Sequence, residues 1–323
     1  MGRKFLMFAG LLSIVLFASV ALAGDYSAPT KAKDEGAWRF KPSFSVGYAF
    51  GDDPDLKFTL KDGPALGGVT KVKVEVPSFS GVYIAGELPI AITDRLLLTI
   101  AGRWAFNASD EDSREVYNNN IARRDWDSDG RDWVTADLLL SYAFVKELGF
   151  LKDLSGVVGF RWDHHSMDYE DPHSVSGLLS DSSNKIDFEM NTYSPVFGIT
   201  STFMGPKSGI FGGDIKLSFF GSPFCYGDMK YKESFGPIPV RIKYDGSLND
   251  VSFYSFYGEV TALSGKVSPG MTASLLIFGQ YTEFFAEERV TGTFSSAPSS
   301  ESKFKFDSNP NLAVVGLKAA LAF

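Results

Sequence analysis

The last thirteen residues, Asn311-Leu-Ala-Val-Val-Gly-Leu-Lys-Ala-Ala-Leu-Ala-Phe323, carry the pattern that decides the fold. Read back in steps of two from Phe323 to Ala313, every side chain is apolar. The residues between them are smaller and include the charged Lys318. Because successive side chains of a strand point to opposite faces, we expect one face to meet hydrocarbon and the other to meet a crowded interior.

A final strand that ends in Phe resembles the closing strand of bacterial outer-membrane barrels, and this resemblance implies recognition by the outer-membrane insertion machinery. The same alternation recurs upstream, so that ten strands are predicted in all. Clear alternation covers residues 95–106, 134–144, 154–165, 211–219, 252–262 and 271–282, and weaker alternation covers 40–50, 72–88 and 189–203.

Strand length and connection length separate a membrane barrel from a soluble β-sandwich, which also alternates. The segments run for about 10 to 13 residues, enough to cross a bilayer at a tilt. Short and long connections alternate, as in a membrane barrel. We therefore predict an all-β fold: a transmembrane antiparallel β-barrel of about ten strands in the cell outer membrane, with short periplasmic turns. Five long outer loops are expected at residues 51–71, 107–132, 166–187, 221–249 and 284–310.

The amino terminus has the pattern of a secretory signal peptide. Arg3 and Lys4 precede an apolar run that closes on the small residues Ala21-Leu22-Ala23. A membrane-anchoring helix is the alternative, but a cleavage-like site and polar residues follow the run. The predicted organisation is a signal peptide at 1–23, a periplasmic segment at 24–37 and the barrel at 38–323.

Composition excludes several functional classes. The net charge of −8 and the lack of a basic cluster argue against a nucleic-acid partner. Cys225 is the one cysteine, so the chain has no internal disulfide and no zinc site built on several thiolates.

The strand face opposite the large apolar residues carries charges of both signs. Since buried charges must be paired, we predict an ion-paired plug in place of a diffusion pore, and a general porin is excluded. The predicted inward charges are Arg39, Lys41, Glu87, Arg95, Arg103, Asp137, Arg161, Asp163, Asp214, Lys216, Glu259 and Lys318.

Two of the predicted outer loops hold candidate functional residues. The second contains Asp125-Trp-Asp127-Ser-Asp129-Gly, which lacks the further ligands and distal Glu of an EF-hand, so an acidic solvated loop is the alternative to a site. At the start of the third, Asp163 and His165 share the inward face, where a carboxylate could orient an imidazole as a general base. There are two other interpretations. The residues could form an ordinary polar rim, or they could form a metal site together with the neighbouring histidines.

Taken together, these features resemble the omptin family of outer-membrane proteases, whose topology the mature chain follows over most of its length. Residues 193–203 also resemble the corresponding omptin strand. Omptins carry an Asp-x-Asp pair in the second loop and Asp-x-His in the fourth. The resemblance implies that these residues face one another across the rim and activate a water molecule, and that lipopolysaccharide is a required partner. No other cofactor is expected.

The first omptin motif has matches here, as Asp125 with Asp127 or Asp127 with Asp129. In the fourth loop the best match is Asp228-Met229-Lys230, where a lysine stands in place of the histidine. Lysine holds its proton at neutral pH and is a poor general base. Asp163-His164-His165 supplies an Asp-x-His sequence, but in the third loop.

Three hypotheses follow. The first is a surface binding or structural barrel with a degenerate protease site. The second is an active aspartic-type endopeptidase that uses Asp125, Asp127 and His165 and cleaves near basic residues. The third is a narrow channel for small solutes. The expected partners are outer-membrane lipid and lipopolysaccharide, together with basic peptides or proteins at the acidic outer loops.

Overall fold

In the computed structural model, every element among the described residues is a β-strand, and none of these residues forms a helix long and apolar enough to cross a membrane. The expected signal peptide and periplasmic segment lie outside the described residues, which are 39–52, 56–63, 68–76, 78–107, 113–117, 122–176, 185–205, 213–235, 240–285, 290–294, 302–306 and 309–322. The strands are β1 (Arg39–Phe40), β2 (Ser43–Gly51), β3 (Leu56–Gly63), β4 (Gly68–Glu75), β5 (Phe79–Ala91), β6 (Leu96–Asn107), β7 (Ser113–Tyr117), β8 (Ala122–Leu148), β9 (Leu151–Ser176), β10 (Lys185–Phe203), β11 (Ile215–Phe235), β12 (Val240–Ser268), β13 (Met271–Phe285), β14 (Val290–Phe294), β15 (Ser302–Phe306) and β16 (Asn311–Ala322).

Ten of these strands close a barrel, as predicted. The antiparallel order is β2, β5, β6, β8, β9, β10, β11, β12, β13 and β16, and β16 closes the ring by pairing with β2. Tight turns join β8 to β9 and β12 to β13 at one end. Gly149 and Gly270 occupy these turns with φ of 63° and 86°, a conformation that favours glycine.

The strands continue well beyond the lengths predicted from alternation, so much of the predicted loop sequence is strand. β8 covers residues 122–148 where 134–144 was expected, and β11 covers 215–235 where 211–219 was expected. Outside hydrocarbon neither face needs to be apolar, so the alternation fades while backbone pairing continues. The upper parts of β8 to β12 pair onward through β7, β4, β3, β15 and β14, and β14 returns to β12. A second ring of ten strands therefore stands above the first.

The outer face of the lower ring is a band of exposed apolar side chains. Val158, Leu217 and Val315 are each about half exposed, at 51%, 51% and 54%. An apolar surface of this extent is a liability in water and is what hydrocarbon requires. The lower ring therefore spans a membrane.

Inside the lower ring, buried ions form one connected network. Asp137 on β8 accepts a hydrogen bond from Arg161 Nε at 2.8 Å and pairs with Arg103. Arg103 lies 3.7 Å from Glu87 on β5. Lys318 Nζ on β16 lies 2.6 Å from Glu87 Oε2 and 2.9 Å from Glu259 Oε2. We call these six residues the ionic layer. The predicted ion-paired plug is confirmed for them.

Arg95 does not belong to the interior, contrary to the prediction. It lies exposed in the turn of residues 92–95 between β5 and β6, where Thr93 Oγ1 accepts a hydrogen bond from its backbone N. The alternation was extended one residue too far, into a turn that has no inward face.

Above the ionic layer the interior is filled by large apolar side chains, which we call the aromatic layer. The rings of Phe253 and Trp133 each lie 5.5 Å from that of Phe284. The Arg161 guanidinium stacks 4.7 Å from the Phe253 ring and so joins the two layers. The buried members are Phe79, Tyr83, Trp133, Met167, Phe188, Met190, Met229, Tyr231, Phe253, Phe278 and Phe284.

Replacing Lys318 by Met is expected to destabilise the barrel strongly. Glu87 and Glu259 would stay buried without the ammonium group that both contact, and breaking a buried ion pair costs roughly 3–5 kcal/mol. A loss of that order is expected in the free energy of unfolding, measured by denaturant titration of tryptophan fluorescence in detergent.

The matched control is Lys266→Met, because Lys266 is exposed near the periplasmic turn of β12. This variant should unfold at the same denaturant concentration as the unmodified protein. Equal midpoints for Lys318→Met and the unmodified chain would show that the ionic layer does not hold the barrel together.

Candidate functional site

Asp163 and His165 lie on β9, two residues apart and both inward, as their parity predicted. They are 3% and 1% exposed. The register sets Asp163 opposite Thr135 on β8 and Thr192 on β10. Thr135 Oγ1 donates a hydrogen bond to Asp163 Oδ1 at 2.7 Å. Among the described residues, the Asp163 carboxylate thus accepts its hydrogen bond from the Thr135 hydroxyl.

His165 belongs to the aromatic layer. Its ring stacks on Trp133 at 5.2 Å and meets the edge of Phe188 at 6.2 Å. A general base must lie within hydrogen-bond reach of the proton that it removes. In this packing the imidazole faces neighbouring rings, and a peptide chain cannot reach it from the outer end without displacing them.

Asp228 lies on the other side of the barrel wall from His165. Asn191 Nδ2 donates to Asp228 Oδ2 at 3.2 Å, and Asn191 Oδ1 lies 2.9 Å from His164 Nδ1. Lys230 Nζ is 3.7 Å from the same carboxylate. The structure therefore groups Asp228 with His164 on the outer face, through an asparagine that the sequence did not suggest.

A bulge in β11 explains the placement of Asp228. Ser218 and Ser222 point inward and are buried, so unbroken alternation would turn Asp228 inward as well. The register between β11 and β12 shifts on both sides of Cys225, which is buried, and parity reverses there. Met229 then points inward and Asp228 outward. A bulge inserts one residue into a strand and moves every later side chain to the other face.

Asp125 and Asp127 lie on the upper part of β8, on a strand where a loop was predicted, and their side chains lie outside the described part of the structure. The register sets Asp127 opposite Glu170 on β9, five residues beyond His165. At about 3.3 Å per residue this is roughly 17 Å along the wall. The structure thus does not bring the Asp pair, His165 and Asp228 to one place.

The interior also contains a cavity of about 500 Å³ below the ionic layer, at the periplasmic end. Its walls carry Lys41, Lys152, Lys216 and Lys318 together with carboxylates and many hydroxyl groups. A second cavity, of about 10 Å³, lies between Asp163, Trp133 and the ionic layer and is about the size of one water molecule. Within the described ranges, no three His, Cys, Asp or Glu side chains come together in a way that could hold a metal ion.

No protein-family model matches the chain, and no curated protein sequence matches it. Solved structures do. The outer membrane protease OmpT from Escherichia coli is 12% identical, with a TM-score of 0.64, over 92% of this chain and all of that one. A FadL homologue from Pseudomonas aeruginosa is 11% identical over 88% and 90% of the two chains, with a TM-score of 0.35. The translocator domain of the autotransporter NalP from Neisseria meningitidis is 10% identical over 99% and 97%, with a TM-score of 0.34.

At 12% identity, the likeness to OmpT shows a shared fold and leaves the activity open. It agrees with the closed antiparallel ring of the lower strands. The chain is an outer-membrane β-barrel.

Proposed function

We propose that this barrel conducts no solutes and binds cationic peptides or proteins at its outer end without cleaving them. The observation that carries the proposal is the filled interior. The ionic layer and the aromatic layer occupy the lumen one above the other, and His165 is packed into the second of them.

The separation of the candidate catalytic groups supports binding over hydrolysis. Activating a water molecule for attack on a peptide requires a base and its partners within hydrogen-bond distance of one another. His165 points inward, Asp228 points outward, and Asp127 stands roughly 17 Å farther along the wall. Lys230, which stands at the histidine position of the omptin motif, pairs with Asp228.

The acidity of the outer end indicates the class of partner. Residues 107–132 contain eight acidic and four basic residues, and residues 166–187 contain five acidic and one basic. Because β8 and β9 pair along nearly their whole length, the strand portions of these two stretches run side by side. Together the two stretches contain eight more acidic than basic residues, which equals the net charge of the whole chain, −8. A concentrated field of this sign attracts and orients cationic partners.

Neutralising part of this acidic surface is expected to weaken peptide binding. The mature chain, refolded in detergent, would be titrated with a fluorescent Lys- and Arg-rich peptide and followed by polarisation. For Asp125→Asn/Asp127→Asn we expect an affinity about 3- to 10-fold lower, the scale of two exposed charge pairs. Binding should also fall with added salt. The titration is repeated with added lipopolysaccharide, because the omptin resemblance implies lipopolysaccharide as a partner.

The control is Asp94→Asn/Glu147→Gln, which removes the same charge at the exposed periplasmic turns. It should bind the peptide like the unmodified protein, and mass spectrometry should recover the peptide intact in every arm. Equal loss of affinity in both variants would contradict the proposed surface. Cleavage that disappears in Asp127→Asn and in His165→Phe, which keeps the aromatic packing, would replace the proposal with the endopeptidase hypothesis.

A planar bilayer that contains the unmodified protein is expected to show no conductance steps at either polarity, because the two interior layers leave no continuous aqueous path among the described residues. A general porin inserted in the same bilayer provides the positive control. Steps whose size changes in Arg161→Ala, a variant within the lumen, would show that solutes pass through the barrel.

A further inference from the structure

The periplasmic cavity has the size of a small-molecule site and is open to the periplasmic end. Its volume of about 500 Å³ falls within the usual range of ligand pockets, about 300–1,000 Å³. The ionic layer forms its inner end, through Glu87, Glu259 and Lys318. Lys41 lies exposed just before β2, at the periplasmic end. A ligand would therefore enter from the periplasm.

Two of the four lysines in this cavity have no ion-pair partner among the described residues. Lys318 contacts two carboxylates, and Lys152 Nζ lies 2.5 Å from Asp214. For Lys41 and Lys216, by contrast, no described carboxylate oxygen lies within 4.0 Å. Lys216 Nζ lies 5.8 Å from the Tyr257 ring.

The electrostatic neighbours of Lys41 are mostly of the same sign. Among the charged groups that act on it, Glu259 has the largest effect, and the other three lysines of the cavity oppose that effect. Four carboxylates line the cavity beside the four lysines, and Arg103 and Arg161 add two more positive charges, so that cations outnumber anions and favour a bound anion. This positive site lies in a chain whose net charge is −8.

Hydroxyl groups also line the cavity beside apolar side chains, among them those of Ser43, Ser155, Thr200, Thr202, Ser218 and Thr261. Some are already engaged, such as Thr200 Oγ1, which donates to Ser218 Oγ at 3.0 Å. The Ser43 hydroxyl is buried, lines the cavity and has no hydrogen-bond partner among the described residues. A buried polar group of this kind calls for a partner. It lies in the same cavity as Lys41.

We propose that this cavity binds a small, hydroxyl-bearing organic anion from the periplasm, of the class of a sugar acid or a sugar phosphate. Lys41 and Lys216 hold the anionic group, and the serine and threonine hydroxyls bind those of the ligand. Asp153 and Glu259 also line the cavity, so a ligand with its charge at one end fits best. This site is independent of peptide binding at the outer end.

The test is isothermal titration calorimetry on the mature chain refolded in a nonionic detergent, with gluconate, glucose 6-phosphate and glucose as probes. At least one of the two anions should bind and glucose should not. Binding of gluconate alone or of the phosphate alone identifies which anionic group the lysines accept. Lys41→Gln/Lys216→Gln should bind the anion at least about tenfold more weakly, as expected for the loss of charged hydrogen bonds.

Lys266→Gln removes the same charge at the same end of the barrel, outside the cavity, and should bind like the unmodified protein. Lys41→Gln alone, at an exposed position before β2, should also weaken binding and keeps the test valid if the double variant folds poorly. The proposal is overturned if neither anion binds, if glucose binds equally well, or if both lysine variants retain full affinity.

Discussion

The structure depends on one constraint: in hydrocarbon every backbone N–H and C=O group must find a partner within the protein. An open sheet would leave two unpaired edges, so β16 has to meet β2, and it does so over eight consecutive residue pairs from Ala313↔Phe50 to Ala320↔Ser43. Closure then fixes which face of each strand meets lipid. The alternation in the sequence is the consequence, since large apolar side chains lie outside while small, polar or charged ones face inward.

A closed ring of ten strands encloses charged side chains that are largely shielded from water. These side chains pair with one another, and the pairs set the layout of the interior. Asp137 is shared by Arg161 and Arg103, and Lys318 is shared by Glu87 and Glu259. Four of the six ions thus have two partners each, and the network crosses the lumen between β9 and β16. It divides the interior into an apolar outer part and a hydroxyl-lined periplasmic part, because aromatic rings pack on its outer side.

The sequence predicted those parts of the structure in which hydrocarbon constrains composition. The ten strands and the inward positions of Arg161, Asp163 and Lys318 follow from parity alone. The extension of β8 to residue 122 could not be predicted in this way, since outside hydrocarbon the outer face of a strand need not be apolar and the alternation fades. The outward position of Asp228 was also inaccessible, because the bulge at Cys225 reverses parity without a clear sequence signal. His164 meets Asn191 because the register between β9 and β10 sets the two residues opposite each other. The pattern of residues along one strand does not reveal such a cross-strand pair.

The two layers have a consequence for where function can reside. Because the lumen is filled, a ligand cannot pass easily from one end to the other. The two ends of the barrel can therefore carry charges of opposite sign and bind different partners. The outer end holds the excess of carboxylates, in residues 107–132 and 166–187, while Lys41 and Lys216 lie at the periplasmic end. The ionic layer, which first serves to make buried charge tolerable, therefore also keeps two surfaces of opposite sign apart within one barrel.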